Sequence, residues 1–408
     1  MRQLGALLLA ALRGLRTAWD IVGVTLLIVV VLAAVAGGIV SARHRGPSDT
    51  DRADHPYHAE PWFRQYLAEY EASLQMEWKP YIYWRRRPMT GQFVNVDSAG
   101  LRRTVQPSKQ SAPPHRVFFL GGSTMWGTGH RDAMTIPSQV ASALAAQGVR
   151  GVEITNLAET GYVFTQEVVQ LLMLLRSGVR PDVVVFYDGI NDAVSSATTP
   201  TCGLPQNENR RRFEFALGRL LNQRGARELR AMLTAARAQL AAGPIRGVAG
   251  APIDTAGLAH RLVDCYARTA VPLEALSRLY GFRVLYFWQP NPRTTAKPLT
   301  TYEVAVLDTL SHDAMHRMLR SVDRLATAQM DSAMKPIVGD RFRNLAGLFN
   351  GDTSTVWLDF IGHVTERANG RIAGAMVPPI AEALSAPAPG KPRRAPTASV
   401  PAQTTPAR

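Results

Sequence analysis

Short runs of apolar, mostly β-branched residues alternate with amphipathic segments through the middle of the chain. The apolar runs predict buried strands, at residues 117–120, 152–156, 183–187, 284–287 and 356–358. The amphipathic segments predict helices, at residues 135–147, 164–177, 304–331 and 364–384. Such alternation is typical of parallel βαβ units. We therefore expect an α/β fold, a three-layer α/β/α sandwich around a five-stranded parallel sheet.

One segment near the N-terminus is apolar without interruption. Residues 21–42 carry no charge and reach the roughly 20 residues that a helix needs to cross a bilayer. Three arginines precede the segment, which favours a cytoplasmic N-terminus. We expect a single-pass protein of the cell membrane whose globular part is periplasmic or extracellular. A cleaved signal peptide is the alternative, because Ala34 and Ala36 resemble a small-residue cleavage site.

Composition divides the rest of the chain into segments. Residues 1–45 contain the predicted anchor, and residues 46–107 form a linker and an aromatic-rich N-terminal lip. Residues 108–385 form the main domain, with an insertion at about residues 195–281. The insertion begins as an amphipathic segment, which is either a cap over the site or a helical layer packed on the sheet. Residues 386–408 are rich in Pro and Ala and are predicted to be disordered.

Charge and cysteine content bear on partners and compartment. The 408 residues carry a formal net charge of +14, spread along the chain in groups such as Arg85, Arg86 and Arg87. No nucleic-acid motif accompanies this charge, so we expect solvated surfaces and attraction to an anionic membrane, and no nucleic-acid partner. The two cysteines, Cys202 and Cys265, both lie in the insertion. They pair in an oxidising compartment or remain two separate thiols.

Ser123 follows the first predicted strand, in the segment RVFFLGGSTMWGTG. The two glycines permit a tight turn, and ligands of such sheets bind at the carboxyl ends of the strands. The Ser123 hydroxyl is therefore expected at the crevice. The segment lacks the Gly-Lys-Ser/Thr of a phosphate loop, the G-x-G-x-x-G of a dinucleotide site and the G-x-S-x-G elbow of α/β-hydrolases. Nucleotide binding is disfavoured, and no cofactor is expected.

Later segments place further polar groups at strand ends. ITNLAETGYVF puts Gly161 after the second predicted strand, and VVVFYDGINDA puts Asn191 after the third. A glycine N–H and a side-chain amide at these positions are suited to stabilise an oxyanion. VWLDFIGHVTERANG puts Asp359 and His363 after the last predicted strand, and an acid near a histidine suits orientation of the imidazole.

A metal site is the other chemistry that the sequence raises. His312 and His316 lie four residues apart on a predicted helix, as in the first part of a zinc-peptidase motif. Asp313 stands where that motif has its glutamate, and no third ligand follows. We expect a solvated helix face and no metal.

The order GGS, a glycine loop, GIND and a late Asp and His resembles the four sequence blocks of the SGNH/GDSL hydrolases, over about residues 116–384. The resemblance implies the flavodoxin-like SGNH fold and an enzyme that hydrolyses carboxylic ester bonds. It implies that Ser123 is the nucleophile and His363 the base. It also implies an oxyanion hole formed by the Ser123 N–H, the Gly161 N–H and the Asn191 side chain.

The chain departs from the pattern of that family at two positions. Gly122 stands where the family often carries aspartate. The family usually separates the acid and the histidine by two residues, whereas three lie between Asp359 and His363. A Ser–His dyad, with a backbone carbonyl orienting the imidazole, is therefore the alternative to a triad that includes Asp359.

The function predicted from the resemblance and from the membrane segment is a serine esterase acting on O-acyl groups of an envelope carbohydrate or lipid. An ester-bearing small molecule, a glycan or a lipid would be its substrate. Two alternatives stay open. One is an O-acyltransferase that uses the same Ser–His site, and the other is a catalytically silent module that keeps the fold and binds envelope glycans.

Overall fold

The structure is a computed structural model, and it describes residues 52–107, 115–199, 201–206, 208, 211–215, 234, 253–308 and 314–386. The chain divides into two compact units, Met1–His58 and Ala59–Arg408. In the described part of the first unit, Arg52 forms an ion pair with Asp54. The sheet, the helices and the site belong to the second unit.

The predicted membrane segment, residues 21–42, lies outside the described residues, as do residues 387–408 of the predicted tail. Among the described residues, no helix is both long enough and apolar enough to cross a membrane. The anchor, the tail and the domain boundaries stay predictions from the sequence.

A five-stranded parallel sheet forms the centre of the second unit. The strands in the described part of the chain are β1 (Met76–Lys79), β2 (Tyr83–Arg86), β3 (His115–Gly121), β4 (Val152–Asn156), β5 (Val183–Asp188), β6 (Arg283–Trp288) and β7 (Phe342–Asn344). The central sheet has the order β4-β3-β5-β6-β7, and β1 and β2 form a separate antiparallel hairpin. The winding of the chain therefore reverses between β3 and β5, and the carboxyl ends of these two strands are where such sheets bind ligands.

Helices cover the sheet on both faces. Those with bounds in the described residues, including α1 of the lip, are α1 (Phe63–Ser73), α2 (Ser123–Trp126), α3 (Ile136–Ala146), α4 (Phe164–Arg176), α5 (Ile190–Thr198), α6 (Thr255–Tyr280), α7 (Thr301–Asp308), α8 (Ala314–Val338) and α9 (Glu366–Ser385). Residues of α4, α6 and α8 share one apolar core with Phe186 and Tyr286 of the sheet. Helices α3 and α9 contact each other, and α9 contacts β5 and β6. The prediction of a five-stranded parallel sheet flanked by helices is confirmed.

The amino-acid pattern explains the central strand and the starts of two helices. Strand β5 reads VVVFYD and is buried at every position, as expected of a parallel strand covered on both faces. The side chains of Thr135 and Thr365 accept hydrogen bonds from the first-turn N–H groups of α3 and α9. Threonine caps of this kind stabilise a helix start by about 1 kcal/mol. The cap at Thr365 fixes the start of α9 two residues after His363.

The fifth strand was predicted wrongly. It is β7, Phe342–Asn344, and not residues 356–358. β7 has only three residues, FRN, with a single apolar side chain, so its sequence carries no strand pattern. Residues 356–358 are buried, but the N–H groups of Val356 and Trp357 donate to the Glu303 carboxylate instead of to a neighbouring strand.

Three further segments differ in detail from the prediction. The lip contains helix α1 as well as the β1–β2 hairpin. The helix predicted at residues 304–331 corresponds to α7 and α8, with residues 309–313 outside the described part. Most of the amphipathic segment that begins the insertion lies outside the described residues, so the choice between a cap and a layer stays a prediction; at the end of the insertion, α6 packs into the apolar core.

Cys202 and Cys265 are joined by a disulfide, with their Cα atoms 6.2 Å apart. The bond connects the segment after α5 to α6. In the chain-entropy account, a cross-link over a sequence separation of 63 residues stabilises the folded state by about 4 kcal/mol. The structure therefore contains the disulfide and not two separate thiols.

Candidate active site

Ser123 lies at the carboxyl end of the central strand β3. Gly121 ends the strand, and Ser123 is the first residue of the four-residue helix α2. The Trp126 N–H donates to the Gly122 C=O at 2.9 Å, and the Gly127 N–H donates to the Ser123 C=O at 2.9 Å. The first N–H of a helix has no acceptor within the helix. The turn therefore leaves the Ser123 N–H for a ligand next to its own hydroxyl.

The structure brings Ser123, His363 and Asp359 together in one line. Ser123 Oγ lies 2.8 Å from His363 Nε2, and His363 Nδ1 lies 2.5 Å from Asp359 Oδ2. Ser123 is 7% exposed and His363 is 6% exposed. With the Nδ1–H donating to Asp359, His363 Nε2 is left to accept the Ser123 hydroxyl proton. This is the geometry of an activated serine nucleophile.

The three residues between Asp359 and His363 form a tight loop around the carboxylate. Asp359 Oδ1 accepts hydrogen bonds from the N–H groups of Ile361 at 2.9 Å, Gly362 at 3.0 Å and His363 at 3.2 Å. The longer spacing thus turns the backbone of the loop toward one carboxylate oxygen and leaves the other for the imidazole. A backbone carbonyl is not needed to orient His363.

Charge and hydrogen bonding decide the ionisation of Asp359. Burial raises the pKa of this carboxyl, but the positive charge and hydrogen bond of His363 and the N–H donors of the loop outweigh burial. The net result is a pKa of Asp359 below its ordinary value. The carboxylate is therefore ionised when the imidazole takes up a proton, and it stabilises the resulting imidazolium.

A buried ion pair that the sequence analysis missed supports the segment before this loop. Lys297 Nζ lies 2.5 Å from Glu303 Oε2, and both side chains are fully buried. Glu303 Oε1 accepts from the N–H groups of Val356 at 2.8 Å and Trp357 at 3.1 Å. Only the tertiary structure brings the Glu303 carboxylate to these N–H donors, because 53 residues separate Glu303 from Val356 along the chain.

Asn191 reaches the serine turn from the neighbouring strand. It follows β5 in helix α5, and its Nδ2 donates to the Tyr162 C=O at 2.8 Å. A Cβ atom at Gly122 would lie only 2.1 Å from Asn191 Nδ2. A side chain at this position would therefore displace the Asn191 amide from its place beside the turn that carries Ser123. The second N–H of the amide stays available to an oxyanion.

Gly161 lies in the loop after β4, between two residues whose carbonyl groups accept hydrogen bonds. It has a left-handed φ of +79°, which favours glycine. The Thr160 C=O before it accepts from Trp84 Nε1 at 2.9 Å, and the Tyr162 C=O after it accepts from Asn191. The predicted third member of the oxyanion hole thus lies beside Asn191, in a loop positioned by the β1–β2 hairpin.

Two arginines of that hairpin are buried, contrary to the prediction of a solvated cluster. Arg85 is 2% exposed and Arg86 is fully buried, whereas Arg87 is exposed. Arg85 donates to the C=O groups of Leu157 and Ala158, the latter at 2.8 Å. The prediction failed because the acceptors belong to the loop after β4, which is distant in sequence.

Arg86 connects this loop to the serine turn. Its guanidinium contacts Glu159 at 3.3 Å and Thr160 Oγ1 at 2.7 Å, and its Cζ lies 3.6 Å from the centroid of the Trp126 ring. Trp126 follows Ser123 in α2. A single buried cation thus contacts both segments that carry the predicted oxyanion donors, and the carboxylate and the aromatic ring offset its burial.

Replacing Asn191 with alanine is expected to lower kcat for an ester substrate by about 100-fold to 1,000-fold, the loss that follows removal of one oxyanion donor. KM should change little, because the amide binds the developing anion and not the ground-state ester. Steady-state kinetics with p-nitrophenyl acetate measures both constants. Gln206→Ala is the matched control: Gln206 donates to Asn191 Oδ1 at 3.3 Å, and its loss leaves the amide donor in place.

Three carboxyl groups that the sequence analysis did not predict as a group are buried beneath the Asn191 loop. Glu167 is fully buried, and Asp188 and Asp192 are 3% and 6% exposed. Burial, then the charges of both aspartates, raises the pKa of Glu167 well above its ordinary value, and burial raises the pKa of Asp192 to about 7. Asp192 Oδ1 accepts from the Phe164 N–H at 3.1 Å and holds the start of α4.

The raised pKa values of these carboxyl groups predict that the free energy of unfolding falls as pH rises. The folded pKa of Asp192, about 7, exceeds the ordinary value of 3.8, so between these values the folded state binds more protons than the unfolded state. The free energy of unfolding should therefore decrease over that window. Glu167→Gln is expected to raise it by more than about 1 kcal/mol at alkaline pH and to flatten its pH dependence. Denaturant unfolding at several pH values measures this, and an unchanged slope would contradict it.

The two histidines considered for metal binding are only partly described. His312 lies outside the described residues. The ring of His316 packs edge-on against Phe360, with centroids 5.4 Å apart. Its contact is with the loop that carries the catalytic-site residues Asp359 and His363.

Comparison with known proteins found similarity only among solved structures. No protein-family model matches the chain, and no curated protein matches it. The acetyl xylan esterase AlAXEase is 14% identical, with a TM-score of 0.35, over 64% of this chain and 97% of that one. The lipase Lip_vut3 from a goat rumen metagenome is 10% identical, with a TM-score of 0.37, over 64% and 97% of the two chains.

The esterase EstA from Pseudoalteromonas is also similar, at 12% identity and a TM-score of 0.33, over 67% of this chain and all of that one. The similar structures are thus esterases and lipases. These identities and TM-scores are too low for the activity or the substrate of any of them to be transferred to this chain.

Proposed function

We propose that this chain is a serine esterase of the SGNH/GDSL type that hydrolyses carboxylic ester bonds. The observation that carries the proposal is the line from Ser123 Oγ to His363 Nε2, 2.8 Å, and from His363 Nδ1 to Asp359 Oδ2, 2.5 Å. Ser123, at one end of this line, lies at the carboxyl end of β3, beside the side-chain amide of Asn191. Nucleophile, base, orienting acid and oxyanion donor are the groups that acyl transfer requires.

In the proposed reaction, His363 Nε2 takes the proton of the Ser123 hydroxyl as Oγ attacks the ester carbonyl carbon. The carbonyl oxygen becomes the oxyanion, bound by the Ser123 and Gly161 N–H groups and the Asn191 amide. The imidazolium returns its proton to the departing alkoxide, which leaves an acyl group on Ser123. Water, deprotonated by His363, then attacks the acyl-enzyme and releases the acid.

A fluorophosphonate probe tests the nucleophile directly. Such a probe should phosphonylate Ser123 in the wild-type protein, and peptide mass spectrometry should locate the adduct there. The catalytically silent alternative predicts no labelling of a folded protein. The longer Asp–His spacing no longer supports that alternative, because the carboxylate contacts the imidazole despite the extra residue.

Hydrolysis and acyl transfer differ in what accepts the acyl group. We propose hydrolysis, with an O-acyl group on an envelope carbohydrate or lipid as the substrate. If the reaction is hydrolysis, added sugar acceptors should not change the release of acetate from p-nitrophenyl acetate. Formation of an acetylated sugar at the expense of free acetate would instead assign the chain to O-acyltransferases.

We also propose that the globular unit lies outside the cytoplasm, anchored by residues 21–42. The apolar length of that segment and the Cys202–Cys265 disulfide both support this location, since disulfides persist in oxidising compartments. A periplasmic reporter fused after Ala42 should be active. An inactive reporter there would contradict the location without affecting the esterase proposal.

A further inference from the structure

A row of aromatic rings runs from the oxyanion loop to the protein surface. It consists of Trp84, Tyr83 and Trp78 on the β1–β2 hairpin, and we refer to it as the aromatic row. The ring centroids of Trp84 and Tyr83 are 6.4 Å apart at an interplanar angle of 27°, and those of Tyr83 and Trp78 are 5.3 Å apart at 28°. Each ring is therefore inclined by less than 30° to its neighbour in the row.

The inner end of the aromatic row touches the candidate active site. Trp84 Nε1 donates to the Thr160 C=O at 2.9 Å, and the Tyr162 hydroxyl donates to the Trp84 C=O at 2.5 Å. A Cβ atom at Gly161, which lies between these two residues, would be 3.5 Å from Trp84 Cζ2. The first ring of the row is thus in van der Waals reach of a predicted oxyanion donor.

The backbone of the hairpin is strained in a way that builds the row. Neighbouring residues of a strand normally point to opposite faces, which would separate Tyr83 from Trp84. Tyr83 instead has a left-handed φ of +71°, a conformation that costs a bulky residue of order 1 kcal/mol or more. Trp78 is the register partner of Trp84. The strained residue places its ring beside both tryptophans.

The outer end of the row is open to solvent and bordered by polar groups. Trp78 is 57% exposed, which is unusual for so large an apolar side chain. The Arg211 guanidinium lies 5.0 Å from the Trp78 ring centroid and 5.4 Å from that of Tyr83. Burial and then the nearby Glu208 carboxylate raise the pKa of Tyr83. At the inner end, Gln206 donates to Asn191 at 3.3 Å.

We propose that the aromatic row is a carbohydrate subsite that stacks the sugar rings of an O-acylated glycan and leads its ester to Ser123. This inference rests on the esterase proposal and narrows its substrate class from carbohydrate or lipid to carbohydrate. Flat aromatic rings match the C–H faces of sugar rings, and the bordering amide, carboxylate and guanidinium groups match sugar hydroxyls. The exposed outer end of the row, where Trp78 is 57% exposed, does not enclose a ligand as a lipid-chain pocket does.

Kinetics with two esters of different size tests the row. Trp78→Ala is expected to raise KM for acetylated xylan by about fivefold to tenfold, the loss of one aromatic stacking contact, with kcat preserved. KM and kcat for p-nitrophenyl acetate, which carries no sugar to stack on the row, should stay as in the wild type. Trp78→Phe, which keeps a ring, should restore most of the affinity for the glycan.

Tyr81→Ala is the matched control, because Tyr81 is 63% exposed on the same hairpin but lines a separate cavity with Leu101 and Leu174. It should leave both substrates unaffected. An unchanged KM for acetylated xylan in Trp78→Ala, with p-nitrophenyl acetate hydrolysis intact, would overturn the subsite and leave the esterase proposal standing.

Binding of a glycan to an inactive variant tests the subsite independently of the reaction. The full-length Ser123→Ala protein in detergent should bind acetylated xylo-oligosaccharides in isothermal titration calorimetry, and the Ser123→Ala, Trp78→Ala protein should bind about fivefold to tenfold more weakly. This result would support the subsite even if the wild type hydrolysed no ester. Equal affinities, or no binding of the oligosaccharides or of O-acetylated peptidoglycan strands by the Ser123→Ala protein, would overturn it.

Discussion

Ser123→Ala is expected to lower kcat for p-nitrophenyl acetate about a million-fold, the scale of losing the nucleophile of a Ser–His–Asp site. The Ser123 hydroxyl lies 2.8 Å from His363 Nε2, and no other group in the site can form the acyl-enzyme in its place. The release of p-nitrophenolate by purified full-length protein measures the rate. Circular dichroism shows whether the variant is folded, and the small side-chain change at a 7% exposed position should leave the fold intact.

His363→Ala should cause a loss of the same order, and the double variant should be no slower than either single variant, because the two residues act as one unit. Ser177→Ala and His260→Ala are matched controls, since both residues are exposed, and Ser177 follows the end of α4 that is remote from the Gly161 loop. They should keep wild-type rates. A Ser123→Ala protein that retains more than about one part in a hundred of the rate would exclude Ser123 as the nucleophile.

Asp359→Asn is expected to lower kcat about 10,000-fold, through loss of the tautomer and orientation of His363. The asparagine keeps an oxygen for the loop N–H groups of Ile361, Gly362 and His363, but it presents an amide donor to His363 Nδ1. Nε2 then carries the proton and no longer accepts one from Ser123. Steady-state kinetics measures the loss, and thermal unfolding should show a protein that remains folded.

The size of this loss separates the triad from the dyad. In a dyad, His363 is oriented by the backbone, and Asp359→Asn would reduce kcat by less than about tenfold. Asp352→Asn provides a comparison, because Asp352 also has a lowered pKa but forms ion pairs with Arg367 and Arg371 on α9. That variant should reduce stability and leave kcat near the wild-type value.

Much of the fold was readable in the sequence because the signals are local. A parallel strand covered on both faces is apolar along its buried length, and the central runs of β3 (VFFL), β5 (VVVFY) and β6 (VLYFW) meet that requirement. The position of Ser123 was readable for the same reason, since a glycine-rich turn after such a strand sets where the side chain lies. β7 was not predicted because an edge strand of three residues needs little apolar surface, so its sequence carries no strand pattern.

The support of the site was not readable, because it depends on contacts between distant segments. Arg86 looks like one of three surface arginines until the loop after β4 supplies Glu159 and Thr160 as its partners. Glu303 likewise looks like an ordinary helix residue until Lys297 and the Val356 N–H lie beside it. The burial and pairing of these two residues follow no periodic pattern, so the local sequence around each of them does not reveal either.

The sequence by itself determined the α/β architecture, the edge of the sheet at which chemistry occurs, and the polar residues gathered there: Ser123, Asn191, Asp359 and His363. Period and turn chemistry act over a few residues and are written in the local sequence. Only the tertiary structure decided that Asp359 reaches His363 despite the extra residue, and that a strained hairpin places the aromatic row beside Gly161. Such distances result from packing of the whole domain, and a one-dimensional pattern contains no information on them.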